Sequence, residues 1–435
     1  MTLKDFIEYI RYYKIIIIIF CLTIVALILS IFLVHKYNIN TNYIYVSCAV
    51  IVSGCIFLRH FVSYLLGIAN IKSAIIREGQ RQLDDPHNYV ERLDITYFID
   101  LQVSNTLIDF IEEEYAKIAT GVRLALTYDI GFILPVIHIC DNSSLNDYEY
   151  QILIRDNVVA SGYVYPDKYM VLASEWDSRH DEIPENAIVG FDPIWQTQVY
   201  WIDEETADKN KKYINVVSST DVIKNHLREI AIKYANDLIT IVDVGRYIEQ
   251  AKTINKDIIP TLEKLNKRLS IEDIRQVFAN LITEEVSVRD ICYIFERLAD
   301  YARKSVEPDV LSERIREDLK VQISAKNADA NNVLYAIKLS KEWEKTLKEH
   351  LERTALGYVL IMESEQIVEF VEAITEKLEV AQECIGRLPV ILCAPKNRLP
   401  IYKMLKRHIP TVVVMSYLEI ADTVKLETVA TIGEE

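Results

Sequence analysis

Residues 15–34, IIIIIFCLTIVALILSIFLV, run for 20 positions without a formal charge. At about 1.5 Å of rise per residue, a helix of that length matches the roughly 30 Å hydrocarbon core of a bilayer, which predicts a transmembrane span. A second uncharged run, 43–58, is shorter at 16 residues and reaches about 66 if Arg59 and His60 snorkel to the interface. It reads as a second span, with an interfacial or re-entrant helix as the alternative. Residues 1–69 are therefore expected to form a transmembrane helical hairpin with spans at 15–34 and 43–66, joined to the body by a polar linker over 70–89. Lys4, Arg11 and Lys14 precede the first span, Lys36 lies between the two, and Arg59, Lys72, Arg77 and Arg81 follow. By the positive-inside rule both termini face the cytoplasm. The apolar run is too long for a signal peptide, and no small-residue cleavage site follows it.

The periodicity then changes. From Asn105, Leu107, Ile108, Ile111, Tyr115 and Ile118 recur at helical spacing. After Gly131 the segments VIHI, YQILI, VVASGYV and YMVL are short, rich in β-branched and aromatic residues, and separated by DNSS, DN and PD turns. An acidic, irregular stretch interrupts them before strand character returns at 198–202 and 214–217. This pattern predicts a first α/β subdomain over 90–172 and 214–234, with a second subdomain inserted at 173–213. Ser218, Ser219 and Thr220 offer caps for a helix carrying Val222, Ile223, Leu227 and Ile230, and nearly everything from 235 to 319 is helix-periodic. Ser270 and Ser287 are candidate caps within that helical third subdomain. Strand-like 357–362, 389–393 and 411–415, set around helices at 366–384 and 399–407, predict a C-terminal α/β subdomain over 320–435. The fold class is thus α/β (mixed α+β), a multi-subdomain body behind a membrane hairpin.

Charge sharpens this division. The first 88 residues carry a net charge of +3 and the remaining 347 a net of −19, within a total of −16. A body so acidic repels phosphate backbones, which argues against a nucleic-acid partner. The seven cysteines include no CxxC pair and no His at metal-ligand spacing, and read as buried thiols.

Chemistry is sparse. No GxxxxGK[ST], GxSxG or HExxH pattern occurs, so ATPase, serine hydrolase and zincin activities have no motif support, and neither an enzyme activity nor a cofactor is expected. His226 lies at helical spacing from Val222, Ile223 and Ile230 with no nucleophile nearby in sequence, and reads as a hydrogen-bonded helix residue. Asp141 and Asn142, followed by two serines, read as a turn.

Four signatures stand in one order: GFILPVIHICDN, YQILIRDNVVASGYVYP, FDPIWQTQVYWI and TDVIKNHLREI. Further on come SIEDIRQVFANLITEEVSVRDICYIFERLAD and LPVILCAPKNRLPIYKMLKRHIPTVVVMSYLEI. Together, over about residues 90–435, they resemble the cytosolic half of the type III secretion export-gate family (FlhA/SctV) of flagella and injectisomes, with Ser287 where that family usually has proline.

The resemblance implies four compact subdomains, a ring of nine copies, and docking of export chaperones with their cargo. It also implies a bacterial inner-membrane location with a cytoplasmic C-terminal domain, in contact with lipid and with other membrane proteins of the export apparatus. The family's chaperone dock is built around an Asp-Pro-x-aromatic turn and a threonine before a His-Leu pair. Here those positions are Asp192, Pro193 and Trp195, with Asn225 before His226 and Leu227. An aromatic on a proline-containing turn is a rigid anchor of the kind that dominates binding hot spots, although Trp195 filling a local core is the other reading. The family carries about eight transmembrane helices and an "FHIPEP" signature between them; this sequence has two predicted spans and no such string. Neither uncharged core, 15–34 or 43–58, carries an ionisable residue of the kind a proton route uses. Two functions follow: a membrane-anchored docking platform for export, or a remodelled membrane-tethered scaffold or regulator that keeps the fold without transport.

Overall fold

In the computed structural model the described residues are 97–433, apart from 180–181 and 355–356, together with Lys36. The predicted spans and linker lie outside them. Among the described residues no helix is long and apolar enough to cross a membrane.

Alternation along IDLQV buries Ile99, Leu101 and Val103 on one face of strand β1 (Ile99–Val103). The chain then passes through helices α1 (Ile108–Tyr115) and α2 (Gly121–Ile130) and returns parallel to β1 as β2 (Ile137–Asp141). A parallel return needs a long crossover, and the two helices supply it. Gly131, at φ 76°, closes α2 in the left-handed conformation that favours glycine. On the other side of β1, strands β3 (Glu149–Ile154) and β4 (Asn157–Tyr163) form a hairpin. Its two loop residues, Arg155 and Asp156, both have positive φ, which matches the twist of the strands they join.

Strands β5 (Lys168–Leu172), β6 (Ile188–Phe191), β7 (Gln198–Asp203) and β8 (Val217–Ser218) make a second, antiparallel sheet in the order β6-β7-β5-β8. It has its own small core around Val171, Trp176, Tyr200 and Ile202. Strand β5, which the sequence groups with the first subdomain, pairs with β7 instead, so the inserted sheet starts at Lys168 and closes with β8. Between β5 and β6 runs helix α3 (Ala173–Asp177), and after β7 helix α4 (Glu204–Asn210). Helix α5 (Ser219–Lys233) then carries Val222, Ile223, Leu227 and Ile230 back into the core that holds β1 and α2.

The helical region comprises α6 (Ala235–Leu238), α7 (Ile241–Ile254), α8 (Ile259–Asn266), α9 (Ile271–Thr283), α10 (Ile291–Tyr301), α11 (Pro308–Asp318) and α12 (Lys320–Asn327). Tyr247 stacks on Phe278 with ring centroids 4.9 Å apart, and Phe278 meets Phe295. Ser287 does not cap α10. The N–H of Val288 is bonded to the carbonyl of Ile130, which keeps this stretch out of the helix, and Asp290 is the cap.

The last sheet is wholly parallel, in the order β13-β12-β9-β14. Its strands are β9 (Val333–Leu339), β12 (Val390–Cys393), β13 (Val414–Ser416) and β14 (Lys425–Ile432). The strand-like 357–362 is not part of it: β10 (Leu351–Thr354) and β11 (Gly357–Leu360) pair only with each other. Helices α13 (Lys341–Glu349), α14 (Ser364–Ile385) and α15 (Pro395–Leu405) complete the unit. Leu334, Ala336, Val390 and Leu392 join the core shared with the helical region, whereas Ile337, Leu339, Ile391 and Cys393 pack with Phe370 and Ile374 of α14. Both faces are buried, as parallel sheets require.

Candidate functional site

The loop between β6 and β7 holds the Asp-Pro-x-aromatic sequence. The Asp192 carboxylate accepts from the backbone N–H of Ile194 at 2.7 Å and of Trp195 at 2.9 Å. The N–H of Asp192 donates to the Thr197 carbonyl at 2.8 Å, and Gln196, at φ 55°, donates back to the Asp192 carbonyl at 2.9 Å. Four hydrogen bonds and the fixed φ of Pro193 leave this turn little freedom. Asp192 is buried, and Trp195 stands on the turn at 50% exposure, outside every buried cluster of the described residues.

The turn is seated on the first sheet. A Cβ on Gly162 of β4 would lie 3.0 Å from the Pro193 Cβ and 2.7 Å from the Tyr150 hydroxyl, so a residue without a side chain is what lets Pro193 approach. Tyr150, fully buried on β3, shares a 2.8 Å hydrogen bond with Nδ1 of His226 on α5. Burial raises the Tyr150 pKa, with the Asp192 charge adding to it, and burial lowers that of His226 to about 4. The pair is therefore neutral near pH 7, and its role is to hold strand and helix together under the turn. Asn225 is exposed on α5, rotated about 100° from the inward-facing His226. The structure thus gathers Asp192, Pro193, Trp195 and His226 and leaves Asn225 to the side. Tyr150 and Gly162 were the residues that sequence reasoning missed; a lone glycine inside a strand pattern was the available signal.

From this turn a cleft of about 1520 Å³ opens along α5, passes the α9–α10 connection and ends at α15 and residues 410–414. Pro193, Ile194, Trp195 and His226 line it; Asp192 and Asn225 do not. Among the described residues no group of three or more His, Cys, Asp or Glu could hold a metal ion.

Three four-stranded sheets, a separate two-stranded hairpin and a helical region make a mixed α/β body of several subdomains, and comparison with known proteins gives its family. The FHIPEP family model matches residues 17–425, and the chain belongs to that family, which includes the FlhA/SctV export gates of type III secretion. The flagellar biosynthesis protein FlhA of Bacillus subtilis is 30% identical over 315 residues, covering 72% of this chain and 45% of that protein. The chain spans about half the length of the curated relatives it matches. Among solved structures, the Chlamydia pneumoniae CdsV protein superimposes with a TM-score of 0.67 at 21% identity, covering 81% of this chain and 100% of that one. A nonameric EPEC SctV-C superimposes with a TM-score of 0.60 at 20% identity, covering 77% and 97%. The mixed α/β architecture is that of these SctV-type domains.

Proposed function

We propose that the chain is a non-enzymatic, membrane-anchored component of a type III export apparatus whose cytosolic part forms a ring and docks chaperone–cargo complexes. The observation that carries this reading is Trp195, a half-exposed aromatic on a turn fixed by four hydrogen bonds, within a chain of the FHIPEP family. A preorganised aromatic loses little entropy when a partner covers it. Asp192 and Pro193 build the anchor, and Asn225 is a flanking contact on α5. The nonameric state of the SctV-C neighbour supports a ring. The predicted spans at 15–34 and 43–66 support an anchor in the bacterial inner membrane, in contact with lipid and with other membrane proteins of the apparatus, with the C-terminal body in the cytoplasm.

Trp195→Ala tests the dock. Calorimetric titration with the export chaperones of the same apparatus should show binding weakened by about 2 kcal/mol or more, with the melting temperature nearly unchanged because the side chain is half in solvent. Undiminished affinity with a lowered melting temperature would instead make Trp195 a structural residue.

A further inference from the structure

The cleft has a charge opposite to that of the body that forms it. Eight of its lining residues are Lys or Arg and four are Asp or Glu, in a chain whose net charge is −16. Part of this charge is matched internally: Glu285 holds Arg228 at 3.0 Å and Lys326 at 3.2 Å, Glu284 holds Arg316 at 3.2 Å, and Asp309 holds Lys403 at 2.6 Å.

Four cations are left over. No described carboxylate lies within ion-pair distance of Lys233, Arg289, Lys406 or Arg407. They come from three separate places: the end of α5, the α9–α10 connection and the segment just after α15. Their convergence on one cleft is a product of tertiary structure, not of a basic run in the sequence. Lys406 is the most enclosed of them; burial pulls its pKa down, and its ammonium donates to the carbonyl of Pro410 at 2.5 Å. An entering carboxylate would pair with that ammonium and neutralise the excess.

The remaining lining narrows the ligand. At about 1520 Å³ the cleft exceeds the roughly 300–1,000 Å³ of small-molecule sites, and Val159, Ile230, Val412 and Val413 give it apolar wall between the cations. A long polyanion such as RNA meets repulsion from the acidic body, whereas a short peptide brings few charges and can use the apolar wall. We propose that this cleft receives an extended acidic segment of a protein partner, its carboxylates pairing with Lys233, Arg289, Lys406 and Arg407. The proposal does not depend on Trp195 docking a chaperone, and the variants that test it leave Trp195 in place.

The test uses the full chain in neutral detergent and fluorescence anisotropy. The probe is a labelled peptide of about a dozen residues, roughly half Asp and Glu interleaved with Leu and Phe. The acidic peptide should bind at least about tenfold more tightly than its Asn/Gln counterpart, and added salt should weaken it. The triple variant Lys233→Gln, Arg289→Gln, Arg407→Gln should lose about tenfold in affinity, the sum expected of three partly exposed ion pairs. Lys406→Met, which keeps the packing of the stem, should lose about threefold or more on its own. A control triple of exposed lysines outside the cleft, Lys345→Gln, Lys348→Gln, Lys425→Gln, should leave binding unchanged. Equal losses from the two triples, equal binding of the neutral peptide, or tighter binding of an RNA oligonucleotide than of the acidic peptide would each overturn the proposal.

Discussion

A Cβ on Gly162 would lie 2.7 Å from the Tyr150 hydroxyl and 2.8 Å from its Cζ, closer than such contacts occur, and Pro193 bars the other direction at 3.0 Å. Tyr150 is fully buried and bonded to His226, so it has nowhere to retreat. Gly162→Ala should destabilise the chain by about 1–3 kcal/mol in chemical denaturation, and should also loosen the turn that carries Trp195. His226 supplies a pH signature. Its pKa in the folded state, about 4, lies below the ordinary histidine value near 6.5. The folded chain therefore takes up this proton later than the unfolded chain on acidification. The contribution to stability is complete above about pH 6.5 and is lost progressively down to about pH 4, by roughly 3 kcal/mol in all. His226→Asn keeps a hydrogen-bonding atom for Tyr150 and cannot titrate, so its stability curve should be flatter across that window; a curve parallel to the parent's would exclude His226 as the cause. The turn at Asp192, Pro193 and Trp195 was legible in sequence because an Asx residue and a proline at neighbouring positions are a local signal, whereas its choice as a candidate dock came from the family resemblance. Tyr150 lies 76 positions from His226, and nothing local announces that partnership.

Caps and periodicities were legible where the helix start is decided by its own residues. Ser270 accepts from the N–H of Asp273, whose carboxylate bonds back to the Ser270 N–H, a full capping box readable from the four-residue string SIED. Ser287 looked equivalent and is not, because Val288 is engaged by Ile130 from a different element. The distinction is measurable by substitution. Ser270→Ala and Asp290→Ala should each cost about 1 kcal/mol, whereas Ser287→Ala should cost far less; a large loss at Ser287 would mean that the helix begins earlier than described. The C-terminal sheet shows the converse limit. VLYAIKL of β9 is central and packed on both faces, so it lacks the two-residue alternation by which strands are recognised. The short aromatic and β-branched GYVL, opened by a glycine, was easier to see and belongs to a separate hairpin.

At the scale of the whole body, the joint between the helical region and the C-terminal sheet depends on charges brought together from distant parts of the sequence. Arg398, fully buried in α15, bonds Glu284 at 2.6 Å and both carboxylate oxygens of Glu313 on α11, while Arg316 bonds Glu419 at 2.5 Å. Burial alone would raise the Glu284 pKa, but Arg316 and Arg398 outweigh it and hold the carboxyl below its ordinary value. For Glu313 burial wins, and its pKa is raised. Arg398 just precedes the helix that periodicity predicts at 399–407, and its partners, 114 and 85 positions away, lie beyond any local pattern. Removing one member of such a network strands the others, at a typical cost of about 3–5 kcal/mol. Arg398→Met should therefore be strongly destabilising near pH 7, and adding Glu284→Gln and Glu313→Gln should recover much of the loss. The pH dependence gives the sharper check. Without Arg398 the two buried carboxyls should titrate above the ordinary glutamate value near 4.3, binding protons in the folded chain before the unfolded one does. The stability deficit of Arg398→Met should then be largest at neutral pH and shrink as pH falls toward about 4.3, the reverse of the trend from His226. A deficit that stays constant with pH would show that the arginine acts there by filling space, and that charge does not hold the two regions together.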